Sequence, residues 1–259
     1  MSNVSTTRSK DGVELIWSAS GRGEPALLFI HGFAGDRHQF TPQVEEFADR
    51  HRVITLDLAG HGESGHDRDQ WGASAFADDV IAVMDAAGVD KAILIGHSMG
   101  GIVMLETANR YPDRVQGLVA IDTLQNIEAL FPPGMLDQLV EGMQQDFIPT
   151  MEGFARALMI EDTDPHLAAR LVKEFAGMRP ESAIGIMSSL TAIDVLPLFE
   201  NLQVPFYAIN SDMQPTNRAA LQQRLSRVEV EVIEKVGHFP QLEASEKFNQ
   251  ALGRAINFI

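Results

Sequence analysis

Short runs of continuous apolar residues alternate along the chain with stretches of helical period. Ala26–Ile30 (ALLFI), Val53–Asp57 (VITLD), Ala92–Gly96 (AILIG) and Gly117–Asp122 (GLVAID) are apolar or small at nearly every position. A strand with one wet face alternates apolar and polar residues, so runs without alternation predict strands covered on both faces. Val13–Ser20 (VELIWSAS) adds an early strand, and Pro205–Asn210 (PFYAIN) and Val228–Ile233 (VEVEVI) add two late ones. Between them lie helical patterns such as Ala73–Gly88 and Gly100–Pro112. Strands that alternate with helices predict an α/β fold with a mostly parallel sheet and helices on both faces.

The alternation breaks once. From about Leu124 to Leu198 no strand pattern occurs. Met135–Ile148 places Leu136, Leu139, Val140, Met143 and Phe147 on one helical face, and Leu167–Met178 does the same with Leu167, Leu171, Val172, Phe175 and Met178. Ser182–Leu196 predicts a third helix, and Pro132-Pro133-Gly134 separates the whole segment from the strand before it. The expectation is a core built from residues 1–123 and 199–259, with 124–198 inserted as a helical cap. The methionines of this segment read first as core packing, with an adaptable ligand lining as the sharper alternative.

Composition narrows the function. The chain has 259 residues, 45% of them apolar, enough for a sizeable core. Its formal net charge of −16 disfavours nucleic acid and anionic membrane surfaces as partners. It has no cysteine, which excludes disulfides, thiolate metal sites and a cysteine nucleophile. The opening MSNVSTTRSKDG lacks the apolar stretch of a signal peptide, and no apolar run is long enough to span a bilayer, so a cytoplasmic protein is expected.

One junction carries chemistry. In Ile93–Leu105 (ILIGHSMGGIVML) a predicted strand runs into Gly96-His97-Ser98-Met99-Gly100, and a predicted helix follows. A serine between two glycines at a strand-to-helix turn is the pattern of a nucleophile elbow. The turn is tight enough to strain the serine backbone, and small residues at 96 and 100 avoid collision. The following helix supplies the Met99 backbone N–H and a dipole favourable to a developing anion.

With this junction the chain resembles the α/β-hydrolase fold family over nearly its whole length. FIHGFAG (Phe29–Gly35) is similar to the family's oxyanion loop, and DLAGHGES (Asp57–Ser64) to its turn after the next strand. GHSMGG resembles its elbow, and VGHFPQLE (Val236–Glu243) its histidine loop. The resemblance implies an eight-stranded sheet and an oxyanion hole formed by the backbone N–H groups of Phe33 and Met99. His31 then shapes the oxyanion loop, with a structural part.

A serine hydroxyl needs a base to take its proton, and the chain offers eight histidines. His97 neighbours Ser98 but is expected to point away from the site. His31 and His61 lie in structural turns, and His38, His51, His66 and His166 in polar, exposed contexts. The order serine, acid, histidine in this fold selects His238, since only His166 and His238 follow Ser98 and His166 lies in the insertion. The acid is open between two placements. The family's usual position, after the penultimate strand, carries Gln214, which cannot hold a charge, with Asp212 two residues earlier. Some members take the acid from the end of the strand that follows the nucleophile helix, which here is Asp122. Asp122 is preferred, and Asp212 stays open.

A serine at the elbow implies acyl transfer through a covalent acyl-enzyme, with no metal and no cofactor. The leading expectation is a carboxylic ester hydrolase acting on a small, partly apolar ester. Hydrolysis of a diketone or lactone, perhydrolysis, cofactor-free dioxygenation and a ligand receptor on the same fold are the alternatives.

Overall fold

A computed structural model describes residues 3–259. These residues form one eight-stranded sheet: β1 (Asn3–Arg8), β2 (Glu14–Ser20), β3 (Ala26–Ile30), β4 (Val53–Leu56), β5 (Ala92–His97), β6 (Val115–Ile121), β7 (Phe206–Ser211) and β8 (Val228–Ile233). Its order is β1-β2-β4-β3-β5-β6-β7-β8. β1, β2 and β4 pair antiparallel, and all other neighbours are parallel. The described residues also form eleven α-helices: α1 (Thr41–Phe47), α2 (Ala73–Ala86), α3 (Met99–Arg110), α4 (Met135–Gln145), α5 (Phe147–Ala157), α6 (Pro165–Ala176), α7 (Pro180–Leu190), α8 (Leu196–Glu200), α9 (Arg218–Arg224), α10 (Pro240–Glu243) and α11 (Ser245–Phe258). None of them is long and apolar enough to cross a membrane.

The unbroken apolar strands serve two cores at once, because successive side chains point to opposite faces of a sheet. Leu28, Ile30, Leu94, Leu118 and Ala120 pack toward the larger cluster, which holds the buried residues of α2 and α3. Leu27, Phe29, Ile93, Ile95, Val119 and Ile121 pack toward the smaller cluster, with Phe248, Leu252 and Ala255 of α11.

Three elements differ from the sequence expectation, among them the helix expected over Ser182–Leu196, which ends at Leu190 as α7 while α8 starts anew at Leu196. β1 is composed of NVSTTR, too polar to stand out, and it becomes a strand by pairing with β2 at the sheet edge. The long first helix expected over Met135–Ile148 ends at Gln145. Asp146, at φ −151° and ψ 89°, starts a separate helix, α5, to which Phe147 belongs. The helices α4 to α7 lie between β6 and β7.

Register places the chemistry. Ile30 of β3 pairs with Gly96 of β5, and His97 of β5 pairs with Ile121 of β6. The loop after β3, the turn after β5 and the end of β6 therefore meet at one carboxyl edge.

Candidate active site

Ser98 sits between β5 and α3 with φ 53° and ψ −118°, outside the helical and extended regions. Glycine is required on both sides. A Cβ on Gly96 would overlap the carbonyl oxygen of Gly100, and one on Gly100 would overlap that of Ile30. The strain stays because the surrounding strands over-determine the turn.

Asp122, at the end of β6, has φ 42° and is 3% exposed. Its Oδ2 lies 2.6 Å from Nδ1 of His238. Its Oδ1 accepts from the Ser211 backbone N–H at 2.6 Å and from Gln125 Nε2 at 3.1 Å. Burial pushes the Asp122 carboxyl up, but the hydrogen bond and charge of His238 together with the Ser211 contacts prevail and hold it below the usual carboxylate range. Asp212 is placed elsewhere. It is exposed, and its carboxylate accepts from the Lys235 backbone N–H at 2.9 Å. The structure thus brings Asp122, not Asp212, to His238. Gln214 lines the cavity that Ser98 and His238 share.

Phe33 and Met99 line the same cavity. Among the described residues neither backbone N–H donates to a protein acceptor. For Met99 this follows from its place in the first turn of α3, where no helical carbonyl is available. His31 is buried, with Nε2 accepting from the Leu58 N–H at 3.0 Å, so its Nδ1 donates to the Gly32 carbonyl at 2.7 Å.

His97 corrects an expectation. It does not turn away but packs beneath His238, with ring centroids 4.8 Å apart and its Nε2 2.7 Å from the His238 carbonyl. Burial first, and then the charge of His238, push the His97 imidazole down to about 3, so it is neutral and donates through Nε2. His51 and His66 are half-buried and bonded, not exposed: the Nδ1 of His51 lies 3.0 Å from the Pro25 carbonyl and that of His66 2.9 Å from Ser182 Oγ.

The cavity measures about 180 Å³ and is mostly apolar. Phe33, Phe154, Phe175, Met187 and Leu190 are among its walls, with Thr123, Gln125 and Gln214 as polar points. His97, Asp122 and His238 are its ionisable residues, and no Lys or Arg lines it. Among the described residues, no group of three His, Asp or Glu side chains is placed to hold a metal ion. The role of Gln125 has no sequence signal beyond nearness to Asp122.

The family model described as the alpha/beta hydrolase fold matches residues 25–245. The chain belongs to that family. This α/β-hydrolase is 39% identical over 109 residues to RutD of Azorhizobium caulinodans, a protein assigned to carbamate hydrolysis, in a match covering 42% of this chain and 41% of the relative. It also spans only 34% of a dihydrolipoyllysine-residue acetyltransferase component from Cupriavidus necator, at 32% identity over 53% of this chain. Against the Karrikin insensitive 2 receptor CA of Petunia hybrida the α/β-hydrolase is 25% identical, over 92% of this chain and 93% of the receptor. Among solved structures it resembles Est816, an N-acyl homoserine lactone degrading enzyme, with 25% identity, a TM-score of 0.84 and 95% and 98% of the two chains covered. A thermophilic esterase from Thermogutta terrifontis shares the fold at a TM-score of 0.84 and 24% identity, over 99% and 98% of the chains. The chain is an α/β-hydrolase whose matched relatives differ widely in assigned activity, from a carbamate hydrolase to an acetyltransferase component and a receptor.

Proposed function

We propose that this protein is a serine hydrolase that cleaves small, uncharged carboxylic esters through an acyl-enzyme. The observation that carries the reading is the 2.6 Å pairing of buried Asp122 with His238, in one cavity with the strained Ser98. In this reading His238 Nε2 takes the Ser98 proton as Oγ attacks the ester carbonyl. The N–H groups of Phe33 and Met99 hold the oxyanion, and His238 returns the proton to the departing alcohol. A water then gives its proton to His238 and attacks the acyl-enzyme, and collapse releases the carboxylic acid and restores Ser98. A lactone is a cyclic ester and follows the same steps.

The cavity supports a substrate class. Its volume of about 180 Å³ compares with the roughly 150 Å³ apolar cavity that accepts one benzene molecule. An acyl group of one ring, or a short alkyl chain, fills it. With no Lys or Arg on its walls and a net charge of −16 on the chain, a substrate carrying its own carboxylate finds no counter-charge. The helices α4 to α7 serve as the cap that excludes water from the reacting ester. The steps need no metal or cofactor, and a small-molecule ester is the partner they imply.

A second reading is ligand reception, supported by the near full-length likeness to the Petunia receptor. Hydrolysis of p-nitrophenyl esters of increasing chain length, by wild type and Ser98→Ala, separates the two. Multiple turnovers that vanish in Ser98→Ala are expected. A single slow turnover, with the product retained, would favour the receptor, and turnover unchanged in Ser98→Ala would remove Ser98 from the chemistry.

A further inference from the structure

Glu243 ends the VGHFPQLE motif, and the chemistry above gives it no part. It lies at the end of α10, and its carboxylate faces back onto the loop that carries His238. Oε2 accepts from the Gly237 backbone N–H at 2.9 Å, and Oε1 from the Phe239 N–H at 3.1 Å. Both N–H groups that flank His238 are thus bound by one carboxylate. The His238 N–H itself donates to the Leu158 carbonyl, just past α5, at 2.8 Å. Thr163, before α6, donates its hydroxyl to Glu243 Oε2 at 2.9 Å and accepts from the Ile160 N–H at 3.1 Å. The fit is close: a Cβ on Gly237 would stand 2.7 Å from Glu243 Oε1 and 2.9 Å from the Leu158 carbonyl oxygen.

We infer that Glu243 is a positioning residue: it fixes the loop bearing His238 and, through Thr163, ties that loop to the corner between α5 and α6. Hydrogen bonds from backbone N–H groups to a carboxylate are about twice as strong as neutral ones, and here two converge across the residue whose placement matters. A base displaced by about 1 Å loses on the order of a hundredfold in rate. Glu243 does not line the cavity, so removing it moves the base and not the substrate. The α5–α6 corner and the His238 loop are thus joined twice, by Thr163 to Glu243 and by the Leu158 carbonyl to the His238 N–H.

The inference rests on His238 being the base, and its test has one arm that needs no turnover. In Glu243→Gln an amide NH₂ must meet one of the two N–H donors, which opens the clamp at nearly constant volume. The expected result with a p-nitrophenyl ester is a kcat per titrated active site at least tenfold below wild type, with KM within twofold. Thr163→Val, which removes one of the two links to the corner and leaves the loop clamped by Glu243, is expected to keep kcat within threefold. The second arm follows the His238 Nδ1 proton, shared with Asp122, by NMR. It is expected to be sharp in wild type and broadened by exchange in Glu243→Gln. A variant with fewer active sites but unchanged kcat per site, or an unchanged Nδ1 proton signal, would make Glu243 a purely structural residue and overturn the inference. A wild type without turnover that keeps a sharp Nδ1 proton, lost in Glu243→Gln, would uphold the clamp and count against the ester hydrolase reading alone.

Discussion

Asp122→Asn separates a charge and a tautomer from everything else in the site. Asparagine has nearly the same volume, and its Oδ1 keeps the bonds from the Ser211 N–H and Gln125 Nε2. The group facing His238 Nδ1 at 2.6 Å becomes an NH₂. That nitrogen donates, so His238 Nδ1 must accept, and the ring proton moves to Nε2. An imidazole protonated at Nε2 cannot take the Ser98 proton. Flipping the amide instead leaves the Ser211 N–H facing a donor in a site where Asp122 is 3% exposed, and an unmet buried donor costs about 1–3 kcal/mol. The imidazolium formed during attack also loses its counter-charge. The same change in a Ser-His-Asp triad lowers kcat about 10⁴-fold, which at 1.36 kcal/mol per decade is about 5.5 kcal/mol. A loss of 10³- to 10⁴-fold in kcat per titrated active site is expected here, in a protein that remains folded. The assay is p-nitrophenyl ester hydrolysis beside Asp212→Asn, whose carboxylate accepts from the Lys235 N–H and whose loss should leave kcat within threefold. An Asp122→Asn enzyme retaining a tenth of wild-type kcat, or a crippled Asp212→Asn, would refute the reasoning.

Acid titration gives a second expectation. The folded-state pKa of Asp122 lies below its ordinary value of 3.8, so its stabilisation is complete above that value and is lost as pH falls through the lower, folded one. Urea unfolding should show wild type ahead of Asp122→Asn by a constant margin at neutral pH that closes below about pH 4. Gly96→Ala places a methyl group against the Gly100 carbonyl, and circular dichroism with activity should show a folded but less stable protein, by about 1–3 kcal/mol, that has lost at least tenfold in rate. Arg68 and Asp79 form a buried pair at 2.5 Å, with side chains 1% and 0% exposed. Asp79→Ala strands the guanidinium and should cost roughly 3–5 kcal/mol in urea unfolding; a loss under about 1 kcal/mol would show that Asp11, which also binds Arg68, suffices alone.

Much of this molecule is legible in its sequence. Continuous apolar runs marked the central strands because both of their faces are buried, a property written residue by residue. The elbow was legible because a turn that tight admits only glycine at 96 and 100, and the order of four local motifs pointed to the family. Local pattern did not reveal β1, whose polar residues become a strand only through pairing with β2, nor the break at Asp146 that divides α4 from α5. It also left the partner of His238 open between Asp122 and Asp212. Both are aspartates near strand ends, and the distinction lies in where β6 and β7 deliver them relative to a loop more than twenty residues further along the chain. The packing of His97 beneath His238 and the grip of Glu243 on the His238 loop belong to the same class. Periodicity and motif spacing report what each residue does to its own backbone, whereas these contacts join segments whose meeting is set by sheet order and register, and only the assembled tertiary structure decides it.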